Sequence, residues 1–332
     1  MKQQSNYVPK FNSILSNDLY DFLKLKRSLG YKYKSEAHML QRIDEFFVSE
    51  QLDVLGLSED IVLKWSLKRE TESQKTHFTR VSIMRQFGVY LNKNGISAAL
   101  PQQISRSAFS KTFTPYIFTN EQIATLIYNA DNMPEAMGQS KINIIFPAIL
   151  RLLYGCGLRI SEATALRIFD LDLNRGTITI RDSKNDNNRI VPISDSLKIY
   201  MINYFNKIHL IYANDDFLFP TPFKEQYSPR CIYGYFRKIL WQSGISHGGR
   251  GSGPRLHDLR HTFAVHSLQN WIIQGRDTYI LLPILSTYLG HKNIYATEKY
   301  LRLTSEMYPN ILEKVKDTCG EIIPEVINYE AN

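Results

Sequence analysis

Apolar positions in the first hundred residues recur three and four apart, the spacing that puts side chains on one face of a helix. Leu15, Leu19, Phe22 and Leu23 predict a first helix, stopped by Gly30. Leu40, Ile43, Phe46 and Phe47 predict a second, with Ser35 as its cap. Ser58 would cap a third through Ile61, Val62 and Trp65. A fourth runs from about Thr76, turns Val81, Met84, Phe87 and Leu91 inward, and ends at Asn94-Gly95. Short amphipathic helices bury their apolar stripes only against one another, so residues 1–102 predict a small four-helix bundle.

Periodicity then lapses. Residues 103–118, rich in Ser, Thr and Lys, predict a linker. Thr119-Asn120-Glu121-Gln122 offers a capping box ahead of Ile123, Leu126 and Ile127, and a second domain over 119–305 starts there. A helix from about Ile142 to Tyr154 should end at Gly155-Cys156-Gly157, and another should follow Ser161. The period changes to two at Thr177-Ile178-Thr179-Ile180 and again at Ile190-Val191-Pro192-Ile193. The polar run Asp182 to Asn188 between them predicts a β-hairpin with a long tip. Helices resume over Asp195–Tyr212, Ser228–Ser243 and from about Leu256. The predicted fold is mostly α: a helical bundle followed by an α+β domain with a small antiparallel sheet.

Charge narrows the partner. The chain has 332 residues, enough for about two domains. Its 43% hydrophobic content excludes wholesale disorder. Lys and Arg exceed Asp and Glu by 40 − 32 = 8, an excess that suits a polyanion, nucleic acid or an anionic membrane surface, or else simply keeps a basic protein in solution. Residues 1–110 alone carry 16 basic and 11 acidic side chains. Lys32, Lys34, Arg42, Lys75, Arg80 and Arg85 are its candidate phosphate contacts, each competing with an ordinary solvated side chain. The end of the chain reverses sign. Residues 303–332 hold Lys314 and Lys316 against six carboxylates, so an acidic tail over 306–332 should pack on protein. Three scattered cysteines exclude a disulfide framework and fit a reducing interior. The start lacks the apolar run of a secretory leader. Pro147 and Arg151 interrupt one apolar stretch and Arg276 and Asp277 the other, so no membrane span is expected.

Several residues could carry chemistry. In His257-Asp258-Leu259-Arg260-His261, His257 and Arg260 share a helix face. A flat cationic fork beside an imidazole suits a phosphoryl transition state. His257 and His261 also have the spacing of a zinc site, but Asp258 stands where that chemistry needs glutamate, and Arg260 would repel the metal. His261 and His266 are expected to be bonded within the fold. Arg159 follows the turn Gly155-Cys156-Gly157 at a helix entrance, and Lys184 lies on the hairpin tip. Leu289-Gly290-His291 precedes Tyr300, a phenol that attacks only with help from a base or a positive field. The loop Gly248 to Gly253 has no GK[ST], follows no strand, and is no phosphate-binding loop; it reads as a mobile loop over DNA.

Arg159, Lys184, His257, Arg260, His291 and Tyr300, in this order and with these flanks, resemble the tyrosine recombinase (phage integrase) family over roughly 119–305. Its first arginine box looks like Gly157-Leu158-Arg159-Ile160-Ser161-Glu162, its HxxR box like His257 to Ala264, and its LGH box like Leu289-Gly290-His291. There are departures. Ala296-Thr297 replaces a Thr-Thr pair, Tyr295 offers a second phenol, Lys207 competes as the hairpin lysine, and the stretch from Arg260 to His291 has room for an extra loop or helical turn. The resemblance implies a SAM-like N-terminal core-binding domain and strand exchange on double-stranded DNA through a 3′-phosphotyrosyl intermediate. No metal and no other cofactor is implied. Tyr300 would attack, Arg159 and Arg260 clamp the phosphate, Lys184 protonate the leaving oxygen, His257 assist proton movement at Tyr300, and His291 donate to a non-bridging oxygen. It also implies a homotetramer on two DNA sites with the acidic tail docked on a neighbour, possible accessory recombination proteins, a mobile-element task, and a cytoplasmic, nucleoid-associated location. A type IB topoisomerase, a catalytically silent DNA-binding regulator and a zinc hydrolase are the alternatives.

Overall fold

The computed structural model describes residues 7–105, 114–135, 140–181, 188–208, 213–249, 253–291, 293–295, 297, 298, 300 and 303. Lys184, Ala296 and the acidic tail lie outside the described residues. The chain divides into two compact units, Met1–Phe113 and Thr114–Asn332.

The first unit packs α1 (Ser16–Ser28), α2 (Lys34–Ser49), α3 (Glu59–Ser66) and α4 (Gln74–Lys93) around one core. Leu15, Leu19, Leu40, Ile43, Phe47, Met84, Phe87 and Leu91 have no solvent exposure. Ser58 caps α3 by accepting from the Ile61 amide, and Ser73 does the same for α4 from Thr76. At α2 the expected cap is corrected. Tyr33, in the left-handed region at φ 43°, enters the helix, and Ser35 lies one residue inside it with its hydroxyl on Glu36.

Arg80 also requires correction as a phosphate contact. Its side chain is 2% exposed and grips both oxygens of Glu72 at 2.9 Å. It donates to the carbonyls of Trp65 and Leu67, and its guanidinium lies 4.9 Å from the Trp65 ring centre. This arginine closes the α3–α4 connection and offers nothing to solvent. Arg85 is half-buried and donates to the Pro101 carbonyl at 2.6 Å. Lys32, Lys34, Arg42 and Lys75 are exposed.

The second unit begins earlier than its capping box suggests. Ile117 and Phe118, placed in the linker by sequence, are 7% and 0% exposed, and the Phe118 amide donates to the Thr262 hydroxyl at 3.0 Å. The box itself forms, with Thr119 and Gln122 satisfying each other's amides at the start of α5 (Asn120–Asp131). Then come α6 (Ile142–Gly155), α7 (Ile160–Ala165), a sheet, α8 (Asp195–Ile208), α9 (Pro229–Gln242), α10 (Leu256–Ile273) and α11 (Thr278–Leu289). The sheet has three antiparallel strands in the order β1 (Leu171–Asp172), β2 (Thr177–Ile180), β3 (Arg189–Pro192). Ile178 pairs with Val191, and both are buried. β1 is too short to show a period and was not expected. The stretch between Arg260 and His291 contains a helix end and all of α11. Among the described residues, no helix is long and apolar enough to cross a membrane.

Candidate active site

Gly157 leaves α6 at φ +58°, a region that favours glycine. A β-carbon there would come within 2.6 Å of the Phe263 ring. This close turn lets the Gly157 carbonyl reach α10, where it accepts from Arg260 Nη1 at 2.8 Å. Arg260 Nη2 donates to the Leu289 carbonyl at the end of α11. The arginine is 1% exposed, and among the described residues no carboxylate lies within ion-pair distance of it. Burial is the first cause that lowers its pKa, with Arg159 next, to about 10, so it stays charged at neutral pH.

Arg159 enters α7 next to this arginine. Its amide donates to Glu162 Oε2 at 2.9 Å, its Nη1 to Glu162 Oε1 at 2.6 Å and its Nη2 to the Gly290 carbonyl at 3.3 Å. Glu162 serves a second guanidinium as well. Arg189 of β3 donates to Oε1 at 3.1 Å and to Oε2 at 2.9 Å, while its Nε donates to the Tyr288 carbonyl at 2.8 Å. Burial alone would raise the Glu162 pKa. The bonds from Arg189 and the Arg159 amide, with both positive charges, outweigh it and hold the carboxyl at about 2.

His291 follows Gly290, which turns at φ +66°. Its Nδ1 is 2.7 Å from the Thr297 hydroxyl, so the one threonine left of the expected pair steadies this ring. Burial first, then Arg260, Arg159, His257 and Arg189, press its pKa down to about 4. Tyr300 is 3% exposed, with its ring 6.1 Å from that of His291 and nearly parallel. Burial raises the phenol pKa against the pull of Arg260 and Arg159. Tyr295, the competing phenol, is 72% exposed.

The placement of the histidines differs from expectation. His261 Nδ1 lies 2.9 Å from the Tyr300 hydroxyl. His257 meets His261 edge to face, with ring centres 4.7 Å apart. An imidazole of α10 within hydrogen-bond reach of the phenol is thus His261, one turn beyond His257. His266, by contrast, is bonded within the fold to the Tyr154 hydroxyl at 3.0 Å.

Arg159, Arg260, His291 and Tyr300 thus meet from four places in the chain. Sequence reasoning gave no role to Glu162, Arg189 or the Thr297 hydroxyl. Two signals were present. Glu162 stands three residues after Arg159, and Arg189 shares a strand parity with buried Val191. Arg159, Arg189 and Arg260 gather here around one carboxylate, which pairs with the first two and not with Arg260, and this leaves a buried positive excess suited to an anion.

The phage integrase family model matches residues 117–307. The chain belongs to the phage integrase family. It is a tyrosine-type site-specific recombinase. It is 28% identical to a putative integrase/recombinase, y4rB, of Sinorhizobium fredii over 89% of this chain and 95% of that protein. It is also 28% identical to the tyrosine recombinase XerA of Pyrococcus horikoshii, over 95% of this chain and 87% of that one. Among solved structures, the XerH recombinase bound to palindromic difH shares the fold of this family member at TM-score 0.63 and 15% identity, covering 94% of this chain and 89% of that one. The Tn1549 transposon integrase with circular intermediate DNA does so at TM-score 0.61 and 18% identity, covering 85% and 94%.

Proposed function

We propose that this recombinase cuts and rejoins double-stranded DNA of a mobile element, using Tyr300 as nucleophile. The observation that carries the reading is the buried positive excess of Arg260 and Arg159 beside a buried phenol. The y4rB and XerA similarities and the DNA-bound neighbours support the substrate class, and the transposon integrase supports integration, excision or transposition as the task.

The Tyr300 oxygen bonds to phosphorus as the bond to the 5′ oxygen breaks. The phenolic proton passes to His261 Nδ1, the imidazole within reach, with His257 behind it. The 5′ oxygen leaves with a proton from Lys184 on the hairpin. The product is a 3′-phosphotyrosyl ester and a free 5′ hydroxyl, and a partner strand's 5′ hydroxyl reverses the step. The phosphodiester energy is conserved, so no nucleotide is consumed. Arg159 and Arg260 offset charge on the non-bridging oxygens, and His291, neutral at pH 7, donates to one of them.

Lys32, Lys34, Arg42, Lys75 and the accessible part of Arg85 supply backbone contacts, and affinity falls with salt. A homotetramer on two sites, joined through the acidic tail and assisted by accessory recombination proteins, completes the reading, with the protein acting on DNA in the cytoplasm at the nucleoid.

The test is a covalent trap. Nicked duplexes built from DNA flanking the gene should give an SDS-resistant adduct with the wild-type protein and none with Tyr300→Phe, which should still bind. Equal adduct formation by that variant would falsify the nucleophile assignment.

A further inference from the structure

Arg189 opens β3 at the foot of the hairpin and faces inward with Val191. Its side chain is 7% exposed, and its Nε, Nη1 and Nη2 are all engaged, on the Tyr288 carbonyl and the two oxygens of Glu162. It does not point its fork at a ligand. One guanidinium instead ties together three elements: β3, α7 through Glu162, and the end of α11 through Tyr288. Arg159 stands just before α7 and His291 just after α11.

Glycine at position 290 makes room for it. A β-carbon there would stand 3.0 Å from Arg189 Nη1 and 3.3 Å from its Cδ and Cζ. The turn that presents His291 is thus packed directly against the Arg189 side chain.

We propose that Arg189 is a positioning residue for DNA cleavage: by neutralising Glu162 it leaves the charge of Arg159 available to the phosphate, and by holding the Tyr288 carbonyl it sets the His291 turn. The proposal rests on the reading of Arg159 as a phosphate clamp given above. The reasoning is one of charge. Glu162 lies 2.6 Å from Arg159 and, alone with it, would form a neutral pair with little left for an anion. With Arg189 on both oxygens of the same carboxylate, the trio carries one net positive charge. Glu162 then orients Arg159 without cancelling it.

The test uses the full-length protein and the nicked duplex from the gene's flanking DNA. It measures the single-turnover adduct rate at saturating DNA, together with Kd and Tm. Arg189→Gln should lower the adduct rate by about 10²-fold, the scale of a misplaced clamp, while Kd stays within about twofold. Adding Glu162→Gln should restore about tenfold of that rate, because the double variant no longer leaves a carboxylate to neutralise Arg159. A purely structural pair behaves oppositely, the second substitution adding to the damage of the first. A double variant no faster than Arg189→Gln, or an Arg189→Gln protein at the wild-type rate, overturns the proposal. Should Arg189→Gln fail to fold, Arg189→Lys takes its place. It keeps the charge but cannot span Glu162 and Tyr288, and must lose at least about tenfold in rate at unchanged Kd; a wild-type rate there overturns the proposal too. A wild-type protein that forms no adduct overturns the parent reading and this one with it. A wild-type adduct beside an unaffected Arg189 variant overturns this one alone.

Discussion

Arg80 in the first unit and Arg260 in the second are 2% and 1% exposed, and each lies within a long helix. Their surroundings differ in one respect. Arg80 has Glu72 on two of its nitrogens and carbonyls on the rest, so its charge is cancelled where it lies. Arg260 has the Gly157 and Leu289 carbonyls and the Tyr300 hydroxyl but, among the described residues, no carboxylate within ion-pair distance, and Glu162, whose charge acts on it, already holds two other arginines. A buried cation without a counter-ion is costly, and a fold retains it when an anion is to arrive. The pair shows how to separate a structural arginine from one that serves chemistry: the balance of charge around the guanidinium decides, and depth does not.

The largest effect that would sharpen this contrast is on stability. Arg80→Ala leaves Glu72 buried and unpaired and should cost about 3–5 kcal/mol of unfolding free energy in the first unit, read by urea denaturation. The cleavage rate per folded molecule should not change. A variant of normal stability that binds DNA weakly would return Arg80 to the phosphate contacts.

Arg260→Ala should do the reverse and lower the adduct rate by about 10²–10³-fold, with DNA still bound. An unchanged rate at saturating DNA would mean that its buried charge is structural after all.

Gly157→Ala should follow, at about 1–3 kcal/mol, because the new methyl meets the Phe263 ring at 2.6 Å in a backbone region unsuited to it. Thermal melts would check this. A smaller Tm change than that of an exposed-site alanine would show that the turn relaxes.

Acid separates the units more gently. The pKa of His291 is lowered from 6.5 to about 4, so between those values the unfolded chain takes up a proton that the folded site refuses. Stability of the second unit therefore falls as pH drops from 6.5 towards 4. Glu162, held at about 2 against an ordinary 4.5, adds a loss that begins near pH 4.5 and is complete only below 2. Among the described residues of the first unit, Glu72 is a group of the second kind, held below its ordinary value mainly by its bond to Arg80, while burial raises the Asp18 carboxyl in the opposite sense. Denaturation at pH 7, 5.5 and 4.5 should show the second unit weakening first, and His291→Gln should reduce the loss above pH 4.5, leaving the share of His266, whose pKa burial also lowers. Equal acid response in both units would contradict the assignment.

The smallest effect belongs to a surface cation. Lys75→Ala should reduce the slope of log affinity against log salt by about one contact and leave the cleavage rate at saturating DNA unchanged. An unaltered slope would remove Lys75 from the interface.

Local pattern reached far into this protein. Helical spacing located α1 to α4, caps such as Ser58 and the Thr119–Gln122 box were visible in place, and strict alternation marked β2 and β3. These features depend on neighbours within one or two turns, which the chain carries with it. The residue types of the site were legible for a similar reason, since Arg159, the His257–Arg260 pair, Leu289-Gly290-His291 and Tyr300 lie in short recognisable runs.

What the linear order left open was pairing. That Arg80 would meet Glu72, that Glu162 would serve Arg159 and Arg189 together, and that His261 would reach Tyr300 follow from packing. Arg189 and Glu162 are 27 residues apart, and His261 and Tyr300 are 39 apart. Electrostatic and hydrogen-bond energies fall off over a few ångströms of space and take no account of separation along the chain. The sequence by itself determined which side chains were present and where helices and strands would form. Only the tertiary structure decided which charges would cancel and which would remain for an anion to meet.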